Sequence, residues 1–87
     1  MSEGPPTPAP PSFTSLQGQY LAFIYAYTQI NRRPPAESDF QIYFQVTPPS
    51  VHQMILTLER QGFIRRIPRT SRSIALLVPP ESLPILR

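Results

Sequence analysis

Polar and apolar residues alternate with helical spacing in three stretches, and the first of these runs from Thr14 to Asn31. Thr14 can cap the helix start, and Gln17 stands three residues later, where it completes a capping box. Apolar and aromatic residues share one side of this stretch, which predicts a helix packed against a core. The proline pair at 34–35 predicts that the helix has ended before it.

A short second helix is predicted after the proline pair. Ser38 is the expected N-cap, with Gln41 placed to complete a second capping box. Phe40, Tyr43 and Phe44 supply its apolar side. A helix of about two turns is unstable alone, so it must pack on its neighbours.

The third stretch has the clearest helix start in the chain. Thr47 is the expected N-cap, and Pro48 takes the first helical position, where its missing N–H is not needed. The residues that form a narrow buried stripe are Val51, Ile55 and Leu58. Gly62 is expected to end the helix in a left-handed conformation.

Two strand-like runs follow, at 63–67 and 73–78, around a polar tip. Three helices, with a short turn between the second and third, and then a hairpin predict an α+β fold, a winged helix-turn-helix. Residues 13–78 are the expected folded domain. Residues 1–12, with five prolines, predict a disordered arm, and residues 79–87 a C-terminal tail.

Arginine is concentrated in the predicted wing. The chain has a net charge of +3 and a pI near 10.0, and five arginines with no acidic residue lie between Arg60 and Arg72. Guanidinium groups on a projecting loop can bind phosphates or a narrow minor groove, which favours double-stranded DNA as the partner. The alternative is a solvated charged face.

The sequence lacks the residues that several other classes of function require. The chain has no cysteine and one histidine, and no acidic cluster has metal-ligand spacing, so no metal or cofactor is expected. Neither a nucleophile–base pair nor a phosphate-binding glycine loop is present, so the protein is not expected to be an enzyme, and no small-molecule substrate is evident. No membrane span or signal peptide is evident, so a cytoplasmic location is expected.

The spacing of these residues resembles the LexA-type DNA-binding domain from about Phe13 to Leu77. In the first half of the chain the matching residues are Phe13-Thr14, Gln17, Leu21, Phe23-Ile24, Asn31 and Pro34-Pro35. In the second half they are Ser50-Val51-His52, Leu58-Glu59, Gly62-Phe63-Ile64-Arg65-Arg66 and Pro68.

The resemblance implies that the third helix enters the major groove and that the wing contacts backbone or minor groove. The base-reading positions would be Thr47, Pro49, Ser50, His52 and Gln53. The wing positions would be Arg65, Arg66, Arg69, Thr70, Ser71 and Arg72, with Arg69 and Arg72 expected at the tip.

The chain departs from the family pattern at several positions. Pro49 replaces a residue that often forms hydrogen bonds, and Gln45 replaces the turn glycine. Gln41 replaces a small residue in the second helix. LexA repressors also carry a serine–lysine self-cleaving domain, and since this sequence has no lysine, self-cleavage is not expected to carry over.

Two functions remain open at this stage. The first is sequence-specific DNA binding by a small repressor-like transcriptional regulator, possible also as a homodimer joined through apolar residues such as Leu83, Ile85 and Leu86. The alternative for that apolar group is a tail folded onto its own domain. The second function is a winged-helix module that binds a protein. Two alternatives also remain for His52 and for Gln53: each could contact DNA, or each could face solvent without a ligand.

Overall fold

The computed structural model describes residues 12–87. Its elements are three helices, α1 (Ser15–Asn31), α2 (Glu37–Phe44) and α3 (Pro48–Arg60), two strands, β1 (Ile64–Arg65) and β2 (Ala75–Leu76), and a short 3-10 helix (Pro80–Ser82). The strands pair antiparallel. The predicted α+β winged helix-turn-helix is confirmed. The predicted arm lies almost wholly outside the described residues.

The start of α1 has the predicted capping box. The Gln17 N–H donates to Thr14 Oγ1 over 3.1 Å, and the Thr14 N–H donates to Gln17 Oε1 over 3.0 Å. These two bonds satisfy backbone donors that a helix start leaves free. At the other end Arg32 takes a left-handed conformation with φ 62°, and its N–H reaches Thr28 O.

The predicted N-cap of α2 is wrong. The helix begins at Glu37, with Ala36 as the cap residue, and Ser38 is an exposed residue inside the first turn. Asp39, at the third helical position, accepts from the Ala36 N–H over 2.7 Å. Because Asp39 binds the N–H of the extended residue Ala36 (φ −88°, ψ 167°), the cap lies two positions before the predicted Ser38.

The turn from α2 to α3 is made by Gln45, Val46 and Thr47. Gln45 is left-handed, with φ 55°. Thr47 is the N-cap of α3 as predicted, and its Oγ1 accepts from the Ser50 N–H over 3.4 Å. Pro48 occupies the first helical position, also as predicted.

An aromatic stack joins α1 to α2. The ring of Tyr20 lies parallel to that of Phe44 with centroids 4.5 Å apart, and it also stacks on Phe40 at 5.3 Å. Burial raises the pKa of the Tyr20 phenol above its ordinary value. The buried apolar core comprises Tyr20, Leu21, Ala22, Phe23, Ile24, Phe40, Val51, Ile55, Leu58, Ile64, Ile74 and Val78.

A Schellman motif ends α3. Gly62 has φ 82°, and its N–H donates to Glu59 O, while the Phe63 N–H donates to Leu58 O. The predicted left-handed glycine is thereby confirmed. The motif turns the chain directly into β1, so the wing leaves from the end of α3.

The strands of the wing are shorter than predicted. Pairing is limited to Ile64 with Leu76 and Arg65 with Ala75. Beyond these pairs, Ser73 Oγ accepts from the Ile67 N–H over 2.9 Å, in place of a ladder bond. A serine hydroxyl that competes for a backbone donor in this way ends a ladder early.

The C-terminal residues pack on the domain. Leu83 and Leu86 contact the core, and Gln19 in α1 holds the segment by its backbone. The Gln19 side chain donates to Ile85 O over 2.9 Å and accepts from the Arg87 N–H over 2.8 Å. Of the two alternatives for the apolar group, the tail folded onto its own domain is the one present, although Ile85 itself is exposed.

Candidate nucleic-acid interface

The beginning of α3 presents a continuous exposed face. One side of the helix is buried against the core. Residues one or two positions away from a buried residue lie on a different face of a helix, so they point outward here. The exposed residues there are Thr47, Pro49, Ser50, His52 and Gln53. The structure therefore brings the five predicted base-reading positions together on one accessible surface.

Within this exposed face, the side chain of Gln53 is free to bind an outside group. Thr47 Oγ1 and Ser50 Oγ lie 2.9 Å apart and are hydrogen-bonded to each other. The Gln53 backbone carbonyl accepts from Thr57 Oγ1 over 2.9 Å, but the Gln53 side-chain amide has no hydrogen bond within residues 12–87. An unpaired amide has both a donor and an acceptor to offer.

The four wing arginines fall into two groups. Arg66 and Arg72 have an acidic partner, and Arg65 and Arg69 have none among residues 12–87. Arg65 and Arg69 are exposed, and among residues 12–87 neither guanidinium has an acidic partner within salt-bridge distance. Arg66 donates from Nε to Glu59 Oε1 over 3.0 Å. Thr70 and Ser71 are exposed between the two arginines of the wing tip.

Arg72 turns back onto the domain. Its Nη1 donates to the Tyr27 hydroxyl over 3.0 Å, to Pro34 O over 3.3 Å and to Asp39 Oδ2 over 3.1 Å. The hydrogen bond with Tyr27 is the main cause that raises the pKa of Arg72 above its ordinary value, and Asp39 adds to it. The guanidinium thus joins the wing to α1 and α2.

His52 lies beside the first residue of α2. Its Nδ1 is 3.3 Å from Glu37 Oε2 and 3.4 Å from Glu37 Oε1. Both side chains are partly exposed, at 50% for His52 and 36% for Glu37. The histidine is therefore accessible but held by a carboxylate.

An open cleft of ≈ 280 Å³ separates the wing loop from the beginning of α2. Arg66, Arg69 and Arg72 line one side of it, and Glu37 lines the other. Arg66 is paired with Glu59 and Arg72 with Asp39, so Arg69 is the cleft arginine without an acidic partner among residues 12–87.

The sequence did not predict the partners of Arg72 and His52. Asp39 is 33 residues from Arg72, and Glu37 is 15 residues from His52. No spacing rule connects a helix start to a wing loop, so only the folded arrangement brings these groups together.

No family model matches the chain. It is 40% identical to the LexA repressor of Thermosipho africanus over 72 residues, which cover 83% of this chain and 36% of that protein. It is 39% identical to the LexA repressor of Thermosipho melanesiensis over 70 residues, and 32% identical to that of Bartonella quintana over 71 residues. The chain contains a LexA-type winged helix-turn-helix domain.

The likeness has a defined extent. The chain spans about a third of the length of these curated relatives, 36% of one and 35% of another. The matched length is close to the 13–78 span that holds the three helices and the wing. The LexA-type assignment therefore rests on this domain alone.

Two features are absent from residues 12–87. In that part of the chain no helix combines the length and apolar character that crossing a membrane requires. The same residues contain no group of three or more histidine and acidic side chains arranged to hold a metal ion.

Proposed function

We propose that the LexA-type domain binds double-stranded DNA sequence-specifically as part of a transcriptional regulator. In this proposal α3 lies in the major groove and the wing contacts the backbone or the minor groove. The observations that carry the proposal are the exposed start of α3 and the exposed wing arginines Arg65 and Arg69, which have no acidic partner among residues 12–87. That the similar proteins are named repressors supports the regulatory role.

Base reading is assigned to the exposed face of α3. The amide of Gln53 can accept from adenine N6 and donate to adenine N7 together, which gives it the strongest selectivity among these side chains. Pro49 offers apolar contact with a thymine methyl instead of a hydrogen bond. The hydroxyl groups of Thr47 and Ser50 are hydrogen-bonded to each other, so fewer of their donors and acceptors remain for DNA.

Phosphate binding is assigned first to Arg65 and Arg69. Neither has an acidic partner among residues 12–87 to leave before it reaches a phosphate, whereas Arg66 is paired with Glu59 and Arg72 with Asp39. Thr70 and Ser71 add hydroxyl donors at the wing tip. The role of Arg72 in this proposal is to hold the wing in place, in addition to any contact with DNA.

A homodimer would strengthen this binding. A single small domain makes few phosphate contacts, and two copies related by a two-fold axis would double them and read an inverted repeat. Leu83 and Leu86 are already packed in their own domain, so they are weak candidates for the dimer contact.

The test is a binding titration with random duplexes at several salt concentrations. Neutralising about two phosphates per subunit, one each by Arg65 and Arg69, gives a log–log salt slope of about −2. Arg65→Ala and Arg69→Ala should each reduce its magnitude by about 1, because each removes one phosphate contact. Selection from random duplexes then identifies the bound sequence. No binding at low salt, or binding that salt does not weaken, would overturn the proposal and favour a protein partner.

A further inference from the structure

The contact between Glu37 and His52 joins the start of α2 to the exposed face of α3. The two Glu37 oxygens lie 3.3 and 3.4 Å from the same ring nitrogen, Nδ1. The other ring nitrogen, Nε2, has no hydrogen bond within residues 12–87. One edge of the imidazole therefore faces a carboxylate, and the other is open to a ligand.

The carboxylate determines where the imidazole proton lies. An ionised carboxylate only accepts hydrogen bonds, so the nitrogen that faces it must carry hydrogen. In a neutral ring the proton is then on Nδ1, and Nε2 keeps its lone pair. Glu37 thereby makes the exposed edge of His52 an acceptor.

An acceptor selects among the base edges of the major groove. Adenine N6 and cytosine N4 carry amino groups that donate there, whereas guanine offers only N7 and O6 as acceptors. We propose that Glu37 is a specificity-determining positioning residue, which fixes His52 to read an adenine or cytosine amino group through Nε2. This inference rests on the proposed function, since it requires α3 to lie in the major groove.

The ring state is testable without DNA. The chain has one histidine, so its nitrogen resonances need no assignment by mutation. At about pH 8.5, above the range in which imidazole ordinarily titrates, ¹⁵N-detected correlation spectra of the wild type should show hydrogen on Nδ1. In Glu37→Gln the amide can accept or donate, so hydrogen should move partly to Nε2. Hydrogen on Nε2 in the wild type would overturn the inference.

Base preference is tested by a double-mutant cycle on duplexes that carry each of the four base pairs at the His52 position. Glu37→Gln should reduce the preference for an amino-bearing base by about five-fold or more, because the lost contact is worth that much discrimination. In a His52→Ala background the same change should leave the preference unaltered. Both side chains are partly exposed, so neither change should unfold the domain.

A charge control separates selectivity from general attraction. Glu81→Gln also removes one negative charge, but Glu81 lies exposed in the short 3-10 helix and forms no hydrogen bond or ion pair with His52. It should leave base preference unchanged. If DNA binds and Glu37→Gln alters preference equally with and without His52, the inference fails while the proposed function stands. If no duplex binds at low salt, the proposed function fails, and with it the base-reading role.

Discussion

Arg72 of the wing donates a hydrogen bond to Asp39 of α2, and the same Asp39 oxygen accepts from the Ala36 N–H. One carboxylate oxygen thus binds both the first turn of α2 and the wing loop at Arg72. Because α2 packs on α3, the wing and the exposed face of α3 are fixed relative to one another. The Arg72–Asp39 bond is therefore a structural link between the two halves of the proposed interface.

Arg72→Ala is expected to lower the melting temperature, because it breaks the link from the wing to Tyr27, Pro34 and Asp39. Arg69→Ala should leave the melting temperature nearly unchanged, because Arg69 is exposed at the wing tip. Thermal unfolding and DNA titrations on the two variants check this. DNA affinity should fall in both, but the salt slope should decrease by about 1 only in Arg69→Ala. If Arg72→Ala reduced the salt slope as much as Arg69→Ala and left the melting temperature unchanged, Arg72 would act only as a phosphate contact.

Gln53→Ala is expected to relax sequence preference rather than abolish binding. Loss of a bidentate contact to adenine costs about 1–3 kcal/mol of discrimination at one base pair. The affinity for unrelated duplexes should stay nearly constant, since a neutral amide neutralises no phosphate. Parallel selections with wild type and variant measure this. A uniform loss across all sequences would contradict base reading by Gln53.

Gln19→Ala is expected to release the C-terminal segment. Its buried amide makes two hydrogen bonds to the backbone of residues 85 and 87, and two such bonds contribute about 1–3 kcal/mol together. Denaturant unfolding measures the loss, and the Arg87 amide should exchange faster with solvent. Gln29→Ala, exposed on the same helix, is the control and should change stability by less than about 0.5 kcal/mol.

Gly18→Ala is expected to gain nothing, although alanine normally stabilises a helix by about 1 kcal/mol over glycine. A Cβ at this position would lie 3.0 Å from the Phe13 ring and 3.1 Å from Pro84 Cγ. The close approach of these two residues from either end of the domain leaves no room for a methyl group. Chemical unfolding of the variant checks the prediction, and a gain of the full amount would show that Phe13 and Pro84 move aside freely.

Local signals explain which features the sequence predicted. The start of α1, the Thr47–Pro48 start of α3 and the turn at Gly62 are each set by residues within five positions of one another. The bonds that satisfy the ends of a helix are of this short range, so they can be predicted from residue type and spacing.

The missed features have two physical causes. At α2, both Ser38 and Asp39 could supply an oxygen for a free backbone N–H, and the ionised carboxylate of Asp39, the stronger acceptor, binds the Ala36 N–H. In the interface, the partners of Arg72 come from loops and helices 33 to 45 residues away. Such contacts depend on how the helices pack, so the spacing of residues along the sequence does not predict them.

Gln45 holds φ at 55° in the turn that joins α2 to α3, in a conformation that disfavours most side chains. Randomising this codon and selecting for folded protein should therefore enrich glycine and asparagine, and should deplete valine and isoleucine. The tolerance of this one position sets how freely the angle between α2 and α3 can vary among functional variants. A library in which β-branched residues survive at position 45 would mean that the turn accepts a different path.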